Sequence, residues 1–308
     1  MSDRKLATPK KLCYWSIGDR KCIVMLRSMV KSARNAGVKE DIHVWSDRKI
    51  KGAITHFISR DEKSRFFKNA LYPAEFKFWY QKKMLDFQYD VYIYVDSDIF
   101  FVRQPPDPLA FVKDDGFHVF LEGDLLGYGL FRMSRWYGCP MSVMIKAMRE
   151  LGVRTNAVRG VNGGFWMVRR ESVVEFVDLV YKFYKYIHRK GYTVVNDEPP
   201  ICYAAHMLFS DPQQHLLSDH FDFYGNYNCV EARTKLPDGT PWVMEYKFTR
   251  EKFLVNPALV HCFRSKHLLH EYTLSLSGKI LFRVLRFPSR VIRVCRRILR
   301  IFRFAKRR

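Results

Sequence analysis

Apolar and polar positions fall into two kinds of run along the first part of the chain. Residues 11–17 form a short, mostly apolar run that predicts a strand, and a loop follows at Gly18 and Asp19. Residues 22–36 carry apolar side chains every three or four positions, which predicts a helix, and residues 41–45 predict the next strand. Strand, helix and strand in this order predict an α/β fold, with a mostly parallel central sheet flanked by helices.

The same periodicities predict further elements downstream. A helix is expected over residues 172–190, where Ser172 and Glu175 have the spacing of a capping box. Residues 122–137 contain three glycines and predict a mobile loop. The remaining predicted elements are helices at 72–86, 141–151 and 201–208 and strands at 53–59, 92–101, 116–121 and 254–261, with a further strand after Gly163 and Gly164.

The run over residues 92–101 is apolar or aromatic at both parities, which is typical of an interior strand of a parallel sheet. Asp96 and Asp98 lie near its carboxyl end, where ligands bind in open α/β sheets. Two carboxylates at a buried edge repel each other and cost desolvation energy unless a cation neutralises them. Mg²⁺ or Mn²⁺ is the simplest such cation. The alternative is a polar turn in which the carboxylates cap the next segment.

Composition indicates a folded chain with a sizeable core, because 48% of its 308 residues are hydrophobic and 16% are aromatic. Its 7 cysteines include no Cys-X-X-Cys pair, which argues against a disulfide framework and a structural zinc site and favours a reducing compartment. Residues 1–11 are polar and predict no secretory signal. No run reaches the roughly 18 apolar residues of a transmembrane helix, so a cytoplasmic location is expected.

Basic residues are concentrated at the end of the chain. Residues 279–308 contain 12 Lys or Arg and no Asp or Glu; subtracting these 12 from the net charge of +22 leaves +10 for residues 1–278. Arginines recur every three or four positions between large aliphatic residues, which predicts a basic amphipathic helix lying in the interface of an anionic membrane, interrupted at Pro288. Nucleic-acid binding is the disfavoured alternative, because it leaves the aliphatic residues without a role. The chain is therefore divided into a domain over 1–272 and a tail over 273–308.

The Asp-X-Asp motif after an apolar strand resembles the metal motif of GT-A glycosyltransferases, and in particular the group that contains glycogenin and lipopolysaccharide galactosyltransferases. The resemblance covers roughly residues 10–268 and depends on four short motifs in the expected order. It implies a GT-A fold in which Asp96 and Asp98 hold Mn²⁺ or Mg²⁺. The ion grips the diphosphate of a nucleotide-sugar, with a UDP-sugar as the favoured donor. Ser97, between the two acids, is assigned to the donor site.

Two of the other motifs resemble the family's sugar and acceptor sites. Asn162 and Gly163 begin a turn before an apolar strand, similar to the Asn-small-Gly turn that shapes the sugar and acceptor pocket; the alternative is an ordinary hairpin turn. Asp197 and Glu198 resemble the family's acidic motif, in which a side chain contacts the acceptor hydroxyl or the donor sugar. Their alternative role is to cap the following helix.

The last motif resembles a histidine that the family carries on a strand late in the sequence and a lysine a few residues after it. His261 matches the third metal ligand and Lys266 the phosphate contact. The alternative for His261 is a hydrogen-bonded core histidine, and the alternative for the phosphate contact is Arg264. The sequence departs from the family pattern here, because Ser265 and His267 replace a glycine before the lysine and a proline after it.

Four further donor contacts are expected, three of them from position alone. In the resembling family a basic residue on the helix before the metal strand points to the nucleotide-sugar. Lys77 is the candidate, and a solvated lysine is the alternative. Tyr14, Ser16 and Asp19, near the end of the first strand, are expected to contact the nucleotide.

The resemblance implies a metal-dependent transfer of a sugar to a hydroxyl group of a glycan or glycolipid at a membrane surface, by an enzyme peripherally associated with that membrane. Whether the transfer inverts or retains the anomeric configuration stays open. One alternative is a catalytically inactive GT-A-like module that binds membrane or nucleic acid through its tail. Another is a phosphatase of the haloacid dehalogenase type, but its motif usually continues with X and then Thr or Val near the chain start, whereas Ile99 and Phe100 follow here.

Overall fold

The computed structural model describes residues 11–19, 21–68, 74–112, 115–125, 135–154, 157–220, 222–226, 242–245 and 252–261. The helices are α1 (Ile23–Asn35), α2 (Arg60–Lys63), α3 (Glu75–Lys83), α4 (Met141–Glu150), α5 (Val173–Arg189) and α6 (Glu198–Leu208). The strands are β1 (Leu12–Gly18), β2 (Asp41–Ser46), β3 (Ile54–Phe57), β4 (Val91–Val95), β5 (Ile99–Phe101), β6 (Phe117–His118), β7 (Leu121–Asp124), β8 (Arg135–Trp136), β9 (Cys139–Pro140), β10 (Arg159–Val161), β11 (Phe165–Arg169), β12 (Tyr224–Asn226), β13 (Trp242–Glu245), β14 (Lys252–Val255) and β15 (Leu259–His261).

A six-stranded sheet in the order β3-β2-β1-β4-β11-β6 forms the centre of the fold. β1 pairs in parallel with β2 and β4, and β2 pairs in parallel with β3. β11 runs antiparallel to both of its neighbours, β4 and β6. The predicted α/β class is confirmed at this level: a mixed fold with a mostly parallel central sheet flanked by helices.

One face of the central sheet packs against α3 and α5 through an aromatic layer. Trp15, Tyr94 and Trp166 come from the adjacent strands β1, β4 and β11, and the rings of Tyr94 and Trp166 stack 3.8 Å apart. Phe78 of α3 and Phe176 of α5 pack on Trp166, with ring centroids 6.0 and 6.1 Å away. Aromatic pairs of this kind contribute about 0.5–1.5 kcal/mol each beyond the area they bury. The layer therefore holds the carboxyl end of β4 in place.

The opposite face of the sheet packs against α1. Tyr14 and Ile93, at the other parity of β1 and β4, lie in one buried cluster with Leu26, Met29 and Val30 of that helix. β1 and β4 are thus buried on both faces, which explains why their apolar residues occupy both parities.

The predicted strand over 92–101 is wrong as a single element. β4 ends at Val95, a turn holds the Asp-X-Asp motif, and β5 belongs to a second, three-stranded sheet in the order β12-β15-β5. The amide of Asp96 donates to the carbonyl of Gly164 at 2.8 Å, and the amide of Ile99 donates back to the carbonyl of Asp96 at 3.1 Å. The chain therefore leaves one sheet and enters another at the two acids.

Two predicted helix starts are also corrected. The box at Ser172 does not form: a short 3-10 turn precedes α5, and Ser172 makes no side-chain capping bond. A capping box forms instead at α2, between Ser59 and Glu62. α6 begins at Glu198 rather than at 201, because the prolines that follow are tolerated in a first turn, where no amide donor is needed.

Two further predictions of secondary structure differ from the observed elements. Part of the predicted loop over 122–137 is strand, since β7 pairs antiparallel with β10. The predicted strand over 254–261 is split, because β14 pairs with β13 whereas β15 pairs with β5 and β12. In the part of the chain that the structure describes, no helix is both long enough and apolar enough to span a bilayer. The basic tail lies outside the described residues.

Candidate metal centre

Three elements bring the predicted metal ligands together. Asp96 follows β4, Asp98 lies in the turn, and His261 ends β15. β15 runs antiparallel to β5 with His261 opposite Ile99, the residue that follows Asp98. One ligand atom from each of the three side chains lies within 4.8 Å of the others, and Nε2 of His261 is 3.4 Å from Oδ1 of Asp98. Among the described residues this is the one group of three or more His, Cys, Asp or Glu side chains arranged in this way.

The electrostatics of this group favour a cation between its members. Asp98 and His261 are buried, with 5% and 6% of their surface exposed, and the Asp96 side chain is 24% exposed. Burial lowers the pKa of His261, but the charge of Asp98, its hydrogen bond and the charge of Asp96 outweigh burial and raise that pKa above its usual value. Two carboxylates and one imidazole fit a divalent ion such as Mn²⁺, which accepts oxygen and nitrogen ligands.

Lys77 connects the Asp-X-Asp motif to the later acidic pair. Its Nζ lies 2.8 Å from Oδ1 of Asp96 and 2.5 Å from Oδ2 of Asp197. The lysine is only 8% exposed, so the alternative of a solvated lysine is wrong. Burial opposes its charge, but Asp197 and Asp96 prevail and hold the pKa of Lys77 well above its usual value. The hydroxyl of Tyr94 also donates to Oδ1 of Asp96.

Asp197 faces this site and does not cap α6. It occupies the position before the helix, but its side chain makes no capping hydrogen bond. Burial raises the pKa of Asp197 to about 6, against the lowering effect of the Lys77 charge. Glu198 is buried as the first residue of α6. The acidic pair of Asp197 and Glu198 therefore lies beside the candidate metal ligands, and Lys77 connects Asp197 to Asp96.

The Asn-Gly-Gly turn packs against both halves of the site. A Cβ on Gly163 would lie 2.9 Å from Oδ1 of Asp197, and a Cβ on Gly164 would lie 2.8 Å from Cε1 of His261. Both positions are too close for a side chain, so glycine is required for the approach. The turn is not an ordinary hairpin turn, because it joins β10, paired with β7, to β11 of the central sheet.

Two of the residues predicted from position to contact the nucleotide are buried inside β1. Tyr14 is 2% exposed within β1 and packs edge-on against Phe101, with ring centroids 5.5 Å apart. Ser16 is fully buried inside β1, which runs from Leu12 to Gly18. Asp19 is partly exposed after the strand and accepts a hydrogen bond from the amide of Lys21 at 2.9 Å.

Ser97 is half-buried in the turn between its two acidic neighbours. The predicted phosphate contact, Lys266, lies outside the described residues. Sequence patterns missed Tyr94, Glu122 and Tyr224 as parts of the site. Tyr94 lies in the predicted apolar strand, Glu122 lies in a predicted loop, and Tyr224 lies in none of the predicted elements. None of the three carries a local signal, because their roles arise only from tertiary contacts.

No protein-family model and no curated protein sequence matches this chain.

Proposed function

We propose that this protein is a metal-dependent glycosyltransferase of the GT-A type. It transfers a sugar from a nucleotide-diphosphate donor, with a UDP-sugar favoured, to a hydroxyl group of a glycan or glycolipid. The observation that carries the proposal is the convergence of Asp96, Asp98 and His261, from two distant parts of the chain, at the edge of a mostly parallel sheet.

In this proposal Asp96, Asp98 and His261 hold Mn²⁺ or Mg²⁺, which when bound neutralises the diphosphate leaving group as a Lewis acid. The charges of the surrounding side chains indicate that the site needs this cation to bind a diphosphate. Acidic side chains outnumber the cations Lys77 and His261 even when both are charged, so the site repels a diphosphate on its own. The acidic side chains that act on this neighbourhood are Asp96, Asp98, Glu122, Asp197 and Glu198.

Asp197 and Glu198 are the proposed groups at the reacting hydroxyl. Burial raises the pKa of Asp197 above its usual value, which makes its carboxylate a stronger proton acceptor than an exposed one. Lys77 holds it in position through the 2.5 Å contact with Oδ2. If either acid accepts the proton of the attacking hydroxyl, it is the general base of an inverting transfer; if neither reaches it, retention of the anomeric configuration stays open.

Two parts of the proposal come from sequence alone. Lys266 adds a second positive charge to the leaving diphosphate. The tail over 279–308 binds an anionic membrane surface, where each Lys or Arg contributes about 1 kcal/mol. Together they bring the donor site to a membrane-bound acceptor.

A thermal-shift screen of nucleotides and nucleotide-sugars, with and without Mn²⁺, tests the proposal together with an assay of donor hydrolysis and transfer. We expect a UDP-sugar to raise the melting temperature only when Mn²⁺ or Mg²⁺ is present. Turnover should fall to background in chelator and in Asp98→Ala. The control is Asp178→Ala on α5, which removes an acid whose side chain is 62% exposed and should leave turnover unchanged.

Two results would replace this function with another. No response to any nucleotide-sugar, combined with tail-dependent sedimentation on vesicles or DNA, identifies an inactive binding module. Release of phosphate from a monoester through a covalent aspartyl intermediate identifies a phosphatase.

A further inference from the structure

Asn162 accepts three hydrogen bonds on one oxygen beside the metal candidates. It is only 3% exposed. Its Oδ1 lies 3.0 Å from the amide nitrogen of Gly164, 2.8 Å from the hydroxyl of Tyr224 and 3.1 Å from Nδ1 of His261. Its Nδ2 donates to Oε1 of Glu122 at 3.3 Å. The side-chain amide is therefore bonded at both ends.

These partners decide which end of the amide faces the histidine. A backbone N–H can only donate, so the Asn162 atom that faces Gly164 is the oxygen. A carboxylate accepts, so the atom that faces Glu122 is the nitrogen. Nδ1 of His261 faces the same oxygen as Gly164 and must carry a hydrogen to bond with it. In the neutral imidazole the lone pair then lies on Nε2, the atom 3.4 Å from Oδ1 of Asp98.

We infer that Asn162 is a positioning residue that holds His261 in the Nδ1–H tautomer with Nε2 directed at Asp98. This inference deepens the proposed function and rests on it for the metal ion. Histidine ligands usually donate their second ring N–H to an acceptor that fixes the ring, and loss of that acceptor weakens metal binding. Resemblance alone assigned Asn162 to the sugar pocket, whereas its hydrogen bonds assign it to the histidine.

The Asn-Gly-Gly turn contributes to the same orientation. The imidazole lies against Gly164 so closely that a Cβ there would be 2.8 Å from Cε1 and 3.0 Å from Nδ1. The ring of His261 is thus held by a hydrogen bond at Nδ1 and by the backbone at its edge.

The ring nitrogen that binds the metal can be measured directly in wild-type protein loaded with diamagnetic ¹¹³Cd²⁺. Spectra that detect ¹¹³Cd–¹⁵N coupling distinguish binding by Nε2 from binding by Nδ1, and His261→Gln assigns the resonance. We expect coupling to Nε2 and a hydrogen on Nδ1. Coupling to Nδ1 of His261 would overturn the inference, and this measurement needs no variant of Asn162.

Metal affinity provides the second readout. Titration of Mn²⁺ followed by electron paramagnetic resonance should show binding about 10–100-fold weaker in Asn162→Ala than in wild type. The matched control is Gln81→Ala, which removes another buried side-chain amide, one that accepts from the indole nitrogen of Trp166 at 3.0 Å and makes no contact with His261, so its Mn²⁺ affinity should stay close to wild type. Wild-type affinity in a folded Asn162→Ala protein contradicts the inference, as does equal weakening in both variants.

The two proposals fail in different ways. Wild-type protein that binds no Mn²⁺ overturns the proposed function. Metal binding through Nδ1 of His261 overturns the role of Asn162, even when Mn²⁺ binds and sugar transfer is observed.

Discussion

Lys77 illustrates how a single buried charge can depend on its neighbours. A lysine in a protein interior loses hydration and is stable there only when it is paired. Here Asp96 and Asp197 supply two contacts, at 2.8 and 2.5 Å. The lysine in turn allows two acids to lie close together beside the predicted metal ligands.

Lys77→Met should therefore destabilise the metal-free protein strongly. We expect the free energy of unfolding to fall by about 3–5 kcal/mol, because the variant leaves buried carboxylates without their cation. Mn²⁺ should restore more stability to the variant than to wild type, since a bound ion neutralises Asp96. Denaturant unfolding with and without Mn²⁺ measures both effects.

Lys82→Met on the same helix is the control for that substitution. Lys82 pairs with Asp178 at 2.8 Å, but the two side chains are 40% and 62% exposed, so we expect a loss below about 1 kcal/mol. Equal losses in the two lysine variants would show that the pairing of Lys77 with the acids has no special effect.

His43 gives the protein a specific sensitivity to acid. It is 2% exposed, and burial, followed by the nearby charge of His56, lowers the pKa of His43 from 6.5 to about 4. Its ring nitrogens lie 2.9 Å from the hydroxyl of Tyr89 and 2.9 Å from Nε2 of His56. The unfolded chain takes up a proton at His43 between these two pKa values and the folded chain does not.

The stability of the folded state should therefore fall as pH decreases from 6.5 to about 4, by up to about 3 kcal/mol from this residue. His43→Gln should flatten this part of the profile, measured by urea unfolding at a series of pH values. His188→Gln, an exposed position on α5, should leave the slope unchanged. A wild-type slope in His43→Gln contradicts this prediction.

At the level of elements, the turn between β10 and β11 determines the geometry of the site. Gly164→Ala places a Cβ 2.8 Å from Cε1 of His261, so the imidazole must move. We expect Mn²⁺ affinity to fall by about tenfold or more, because a displaced ligand cannot keep its geometry. Isothermal titration with Mn²⁺ measures the change.

Gly191→Ala is the control for Gly164→Ala, because it strains the backbone without displacing His261. Gly191 follows α5 with φ at +79° and has nothing within 4 Å of an added Cβ. Alanine there should cost about 1–2 kcal/mol of stability through the left-handed backbone and leave Mn²⁺ affinity unchanged. Normal Mn²⁺ binding by Gly164→Ala would show that the turn does not position the histidine.

Local sequence signals were sufficient to predict some elements of the structure and insufficient to predict others. The buried strand before Asp96 was predictable, because apolar residues at both parities indicate a strand covered on two faces. The break after Val95 was not, since it depends on a hydrogen bond to Gly164 and on the pairing of β5 with β15. His261 was predicted from resemblance, whereas the role of Asn162 required the positions of its partners.

For the molecule as a whole, charge is distributed unevenly along the chain. The tail carries 12 of the basic residues with no acid, while the rest of the chain has a net charge of +10 after those 12 are subtracted from +22. Attraction to anionic lipid falls off within a Debye length and weakens with salt. On the proposed function, membrane binding through the tail should depend on both lipid charge and ionic strength.

Reversal of three tail charges tests this prediction. A triple variant, Arg293→Glu, Arg297→Glu and Arg300→Glu, should lose at least about 3 kcal/mol of binding to phosphatidylserine vesicles, or roughly 100-fold in affinity. Sedimentation with anionic and with neutral vesicles measures this loss. The control reverses Lys182, Lys185 and Arg189 on the exposed face of α5 and changes the net charge equally. Equal losses in both triple variants would indicate a general charge effect rather than a tail that binds membrane.

The position of His261 at the end of β15 affects when the site can form during protein synthesis. Both aspartates leave the ribosome long before this histidine, so a nascent chain has an incomplete set of ligands over most of its translation. On the proposed function, a prematurely terminated chain lacking β15 could not retain the ion and would not consume nucleotide-sugar. Sugar transfer would therefore begin only once the ribosome has passed codon 261 and the late strand has joined β5.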